Sequence, residues 1–245
     1  MKVAIIGDSH VAALKAGWEA LRADHPNVTV TFFASRGSGL AGLQPRDGVL
    51  VPATAGLADH LRFTSGGADR IEPAAYDAIV LHGLHCLLDP NAVAMPSVYS
   101  TAVAAAVAGA VMANSLSVTT LRKLRSLCET PCFVGANPLL VSETDAAPPV
   151  APNVVAARAR VIQTPLLDGL SARLVVQPLA TIVAPFNTAR DFIDGALTLA
   201  VGDHRDGNAA RDDNARHMNP AFGRLWMETF LREHLAGLKT TGSAG

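Results

Sequence analysis

Five short apolar runs, at residues 1–6, 28–34, 77–82, 131–135 and 174–177, are spread along the chain with segments of helical length between them. A strand with one wet face alternates apolar and polar residues, whereas MKVAII, VTVTFFA and DAIVLH are apolar almost throughout. Such runs suit strands buried on both faces, and the intervening helices supply the cover. The pattern predicts an α/β fold, a three-layer α/β/α sandwich around a central, mostly parallel five-stranded sheet. One domain over residues 1–240 is expected, with a disordered tail at 241–245.

Helices are predicted over 11–22, 98–113, 117–128 and 187–200, and from a cap at Asn153 to about 173. Asn219-Pro220 reads as a cap followed by proline at the first helical position, opening a last helix with Phe222, Leu225, Trp226, Phe230 and Leu231 on its apolar stripe. Residues 35–48 read as a glycine-rich loop, and 49–75, with Gly66-Gly67, as a loop holding at most a short hairpin. Residues 144–152 and 202–216 read as polar surface loops.

Composition narrows the partner. The chain carries 20 basic and 21 acidic residues, a formal net charge of -1. That balance leaves no basic footprint for nucleic acid or an anionic membrane, so a small-molecule substrate is expected, with no nucleic acid and no membrane. Cys86, Cys128 and Cys132 have no metal-ligand spacing and are odd in number, which predicts buried thiols in a reducing compartment. The first apolar run stops at Gly7-Asp8, too short for a signal-peptide core, and residues 102–113 are too few to cross a bilayer. A cytoplasmic protein is expected.

In a parallel sheet the ligand lies beyond the carboxyl ends of the strands. There the chain reads IIGDSHVAALK, with Gly7, Asp8, Ser9 and His10 between strand and helix. Ser9 in that seat is either a helix cap or a nucleophile. A nucleophilic serine needs an uncovered hydroxyl, a base and donors for an oxyanion; a strand-to-helix turn offers the first and last. The base is available far away, in DDNARHMNPAFG, where His217 follows Asp213 by four positions.

Gly7-Asp8-Ser9 near the start and Asp213 with His217 near the end together resemble the GDSL, or SGNH, hydrolase superfamily in order and spacing over nearly the whole chain. The resemblance implies the SGNH-hydrolase fold, a flavodoxin-like arrangement, with Ser9 as nucleophile and His217 as base. It also implies oxyanion donors from Ser9 itself, from a glycine after the second strand, and from an asparagine in a Gly-x-Asn block after the third. ASRGSGLAGL offers Gly37 or Gly39 for the glycine. The third block reads Gly83-Leu84-His85, so His85 stands where the family has asparagine; a histidine N–H can serve as well. The last block departs too: three before His217 stands Asn214, one residue after the carboxylate. Asp213 is expected to orient His217, with Asn214 the alternative, because only the acid offsets imidazolium charge.

Asp8 and His10 flank the nucleophile and are candidate substrate-binding residues, His10 being equally suited to a solvent-facing first turn. His82 and His204 read as structural. The expected activity is that of a serine esterase, an acyl hydrolase cleaving a carboxylic ester through an acyl-Ser9 intermediate, with no cofactor and no metal. The same site can pass the acyl group to a sugar or another alcohol, and a non-catalytic binding protein of the same fold is the rival of a different class.

Overall fold

The computed structural model describes residues 1–87, 100–144, 146–206 and 217–238. Strand β1 (Lys2–Gly7) leads to helix α1 (Val11–Leu21) and β2 (Thr29–Ala34), after which β3 (Leu43–Arg46) and β4 (Val49–Pro52) form a hairpin. Helix α2 (Ala55–Ser65), β5 (Ala78–His82), α3 (Thr101–Met112), α4 (Leu116–Arg125) and β6 (Cys132–Gly135) follow. The chain continues through α5 (Pro152–Ile162), β7 (Ala172–Val175), the short hairpin β8 (Ile182–Val183) and β9 (Asn187–Thr188), and α6 (Pro220–Phe230).

The central sheet has five strands in the order β2-β1-β5-β6-β7, all parallel, flanked by helices on both sides as a three-layer α/β/α sandwich. Each strand divides its side chains between two cores. Val3 and Ile5 of β1 join α1 and α6 on one side, while Ala4 and Ile6 join α2, α4 and α5 on the other. All four are fully buried, which is why the run is apolar without alternation. Among the described residues no helix is long and apolar enough to cross a membrane.

Register levels the strand ends. Gly7 pairs with Ala34 on one side and with His82 on the other, so the loops after β2, β1 and β5 emerge side by side.

Several expected elements differ. Residues 55–65 are helical: Thr54 caps α2 by accepting from the Leu57 N–H at 3.2 Å, and Gly66, with φ 81°, ends it. Helix α5 is capped at Ala151 with Pro152 inside, not at Asn153, and stops at Ile162; Pro165 follows in a wider turn. Residues 187–200 are not a helix but β9, one 3₁₀ turn and extended chain. Asn219-Pro220 begins α6 as expected, the Asn219 Oδ1 accepting from the Phe222 N–H at 3.0 Å. The expected tail at 241–245 lies outside the described residues.

Candidate active site

The Ser9 hydroxyl does not cap α1. His10 holds the cap position with no side-chain bond, and the Ser9 Oγ lies 2.8 Å from Nε2 of His217, 208 residues along the chain. Capping falls to Asp8 instead. It is buried, one carboxylate oxygen accepting from the His10 N–H at 3.0 Å and the other from the Leu84 N–H at 3.2 Å. Asp8 therefore fixes the turn that presents Ser9 and ties it to the loop after β5.

That loop is held in an uncommon conformation. Gly83, Leu84 and His85 all have positive φ, at 75°, 54° and 61°. At Gly83 a side chain would also collide with the Asp8 carboxylate, so glycine is required twice over. Leu84 and His85 adopt the left-handed region without that freedom, a cost the surroundings must impose. The Leu84 carbonyl accepts from Ser117 N–H at 2.8 Å and the Cys86 carbonyl from Asn137 N–H at 2.7 Å, which pins the loop to α4 and to the end of β6. Leu84 is buried and His85 is exposed.

His217 is positioned by the start of α6. Met218 is buried and its carbonyl accepts from Leu197 N–H at 3.2 Å. Besides capping the helix, Asn219 donates through Nδ2 to the carbonyls of Asp191 at 2.8 Å and Asp194 at 3.0 Å. Farther in, α6 touches α1 backbone to backbone: side chains at Gly17 or Gly223 would run into the other helix's main chain. Both helices start at the end of the sheet where Ser9 and His217 meet.

The imidazole of His217 is neutral at neutral pH. Burial holds its pKa down at about 4, reinforced by the charge of His10 and opposed by that of Asp8. A neutral ring can accept the serine proton at Nε2, which leaves Nδ1 as the protonated nitrogen. Nδ1 is buried and has no partner among the described residues. Asp213 and Asn214, the two candidates for that partner, lie outside the described residues. His10 stacks on His217 with ring centroids 5.0 Å apart and planes 20° from parallel, so it packs on that ring rather than facing away into solvent.

The two candidate glycines differ. Gly39 donates its N–H to the Arg36 carbonyl at 3.1 Å and packs so closely on the Ser35 hydroxyl that a side chain there would overlap it. Gly37 has φ 56° and open space where a side chain would be.

No local motif marks the network around this loop. Arg36 donates to Asp203 and to Asp206, each at 2.6 Å, and to the Leu199 carbonyl at 2.9 Å. Beside it the Ser35 Oγ lies 2.9 Å from Nδ1 of His60. Ser35 is 3% exposed beneath Gly39, so this second serine-histidine contact supports the loop and leaves no approach for a substrate. Only spatial proximity reveals these partners, which are 25 to 170 residues apart. His82 is fully buried under the Trp226 ring, with its pKa pushed down to about 3, chiefly by burial. His204 lies in the turn after Val201.

The three cysteines are free, and burial raises the Cys86 and Cys132 thiols to about 12. Among the described residues no three His, Cys, Asp or Glu side chains gather as metal ligands would. Comparison with protein-family models and with curated proteins finds no match to this chain.

Proposed function

We propose that the chain is a serine esterase of the GDSL, or SGNH, type that hydrolyses a carboxylic ester through an acyl-Ser9 intermediate. The observation that carries the reading is the 2.8 Å contact between Ser9 Oγ and His217 Nε2, made by an imidazole that burial keeps neutral. A serine hydroxyl that caps no helix and instead meets a neutral base is arranged for proton transfer.

In the reaction, Oγ attacks the ester carbonyl carbon as His217 Nε2 takes the hydroxyl proton. Negative charge develops on the former carbonyl oxygen. The backbone N–H groups of Ser9 and Gly37 receive it, with His85 as a third donor; Gly37 is preferred because the Gly39 N–H is already bonded to Arg36. The C–O bond then breaks and the proton on Nε2 passes to the leaving alcohol. Water, deprotonated by the same nitrogen, attacks the acyl-enzyme and releases the acid and free Ser9. To Asp213 we assign the part of offsetting the imidazolium charge. No cofactor enters the cycle. Asp8, with both carboxylate oxygens on backbone N–H groups, shapes the turn rather than binding substrate.

The test is labelling by a fluorophosphonate, with mass spectrometry of the peptide containing Ser9, alongside turnover of nitrophenyl esters of graded chain length. Labelled Ser9 and ester turnover that both vanish in Ser9→Ala support the reading. Folded protein that neither labels nor turns over any ester in the series overturns it and favours a binding protein. Ester products accumulating when an alcohol acceptor is added would make the enzyme an acyltransferase.

A further inference from the structure

We propose that His10 is a positioning residue for His217, whose ring it holds against Ser9. The inference rests on the esterase reading above, and it assigns a part in the reaction to a residue outside the nucleophile, base and orienting acid.

The geometry starts from the turn itself. His10 is the residue after Ser9, its main chain is anchored by the Asp8 carboxylate, and its ring lies nearly parallel to that of His217 at 5.0 Å. One short turn therefore delivers the nucleophile and one wall of the base's slot. Swinging the His217 ring out of its plane, away from Ser9, requires that stack to open.

The arrangement has a second effect in acid. Two stacked imidazolium rings repel, so protonation of His10 makes protonation of His217 harder. This agrees with the electrostatic influence of His10 on both His217 and His82. Among the described residues, the titratable groups in electrostatic contact with the pair include Asp8 on the turn, which favours the charged form of His217, and His82 on β5. On α6, Arg224 and Glu228 pair with each other in an exposed position, and the ring turned towards His82 is the uncharged Trp226.

Two variants separate stacking from charge. His10→Phe keeps an aromatic face and removes the ionisable group; His10→Ala removes both. Acylation by a fluorophosphonate and by nitrophenyl acetate is followed from pH 4 to 9, and the His217 imidazole is titrated by NMR in the same proteins, each first shown to be folded by circular dichroism. With His10→Phe, the acylation rate at pH 8 should stay within about threefold of wild type. Its His217 midpoint should rise by about one pH unit, lowering the pH 5 to pH 8 rate ratio about twofold. His10→Ala should lose about tenfold in acylation rate with little change in KM.

A His217 midpoint unmoved in both variants, together with wild-type acylation by His10→Ala, overturns the proposal. The titration does not depend on turnover. Wild-type protein that fails to acylate therefore refutes the esterase reading, while the midpoints still decide whether His10 acts on His217.

Discussion

Gly17 of α1 and Gly223 of α6 meet without side chains, the main chains of the two helices in direct contact. This contact lies two turns or less inside the helix ends that carry Ser9 and His217, so it sets the separation of the proposed nucleophile and base. Gly223→Ala would gain up to about 1 kcal/mol in helix propensity, but its methyl group would be driven into the Ala13 carbonyl, and overpacking of that kind costs about 1–3 kcal/mol. A net loss of stability is expected, with ester turnover reduced at least tenfold as the 2.8 Å contact opens. Thermal unfolding and nitrophenyl ester kinetics measure the two effects; a variant as stable and as active as wild type would show that the helices can separate freely.

Ser9→Ala should abolish turnover while changing stability by less than about 1 kcal/mol, because Ser9 caps no helix and loses one partly buried hydrogen bond. Urea unfolding gives the stability. A loss above 2 kcal/mol would mean that the hydroxyl holds the turn together.

The buried Nδ1 of His217 needs an acceptor, and no described residue supplies one. Asp213→Asn is expected to lower acylation by at least about 10²-fold, and Asn214→Ala by much less. The reverse order of effects would assign the part to Asn214.

His85→Ala is expected to slow acylation of Ser9 by about 10²-fold with little change in KM, and His85→Asn to recover part of the loss. His85 has left-handed backbone, which asparagine tolerates better than most residues, so His85→Asn should also fold well. Acylation of His85→Ala at the wild-type rate would leave the oxyanion to backbone donors alone.

Stability should fall in mild acid. His82 binds a proton near pH 6.5 when unfolded and only near 3 when folded, so the unfolded state takes up more protons between those values. The neutral ring's contribution is complete above pH 6.5 and is lost as pH falls through that window, at up to about 1.4 kcal/mol per pH unit. His217 acts in the same direction between 6.5 and about 4. Urea unfolding at pH 7, 6, 5 and 4 should show the decline, with a shallower slope in His82→Asn. An equal slope in the variant would place the acid sensitivity elsewhere.

The five parallel strands are legible in the sequence because burial on both faces leaves no room for polar residues, as Val3 to Ile6 show. The start of α6 is legible because Asn219 and Pro220 act locally. Helix α2 carries equally local signals in Thr54, Leu57, Leu61 and Gly66, but the glycine pair that ends it also reads as loop. Residues 187–200 resist such reading for another reason. Long-range bonds hold them out of a continuous helix, from Asn187 Nδ2 to the Val141 carbonyl and from Asn219 Nδ2 to the Asp191 and Asp194 carbonyls. Within the site, Ser9 and His217 could be named from short motifs, whereas the stacking of His10 and the two tasks of the Asp8 carboxylate exist only once the strand ends are level.

The 208-residue separation of Ser9 and His217 has a consequence for the chain as it is made. A ribosome releases the serine early and the histidine late, so through most of translation the nascent polypeptide holds an alcohol of ordinary reactivity. Proteolytic loss of the segment from His217 onwards would return it to that condition. Ester turnover would therefore report on intact, fully folded chains alone, and an incomplete copy would have no means of acylating itself on a passing ester.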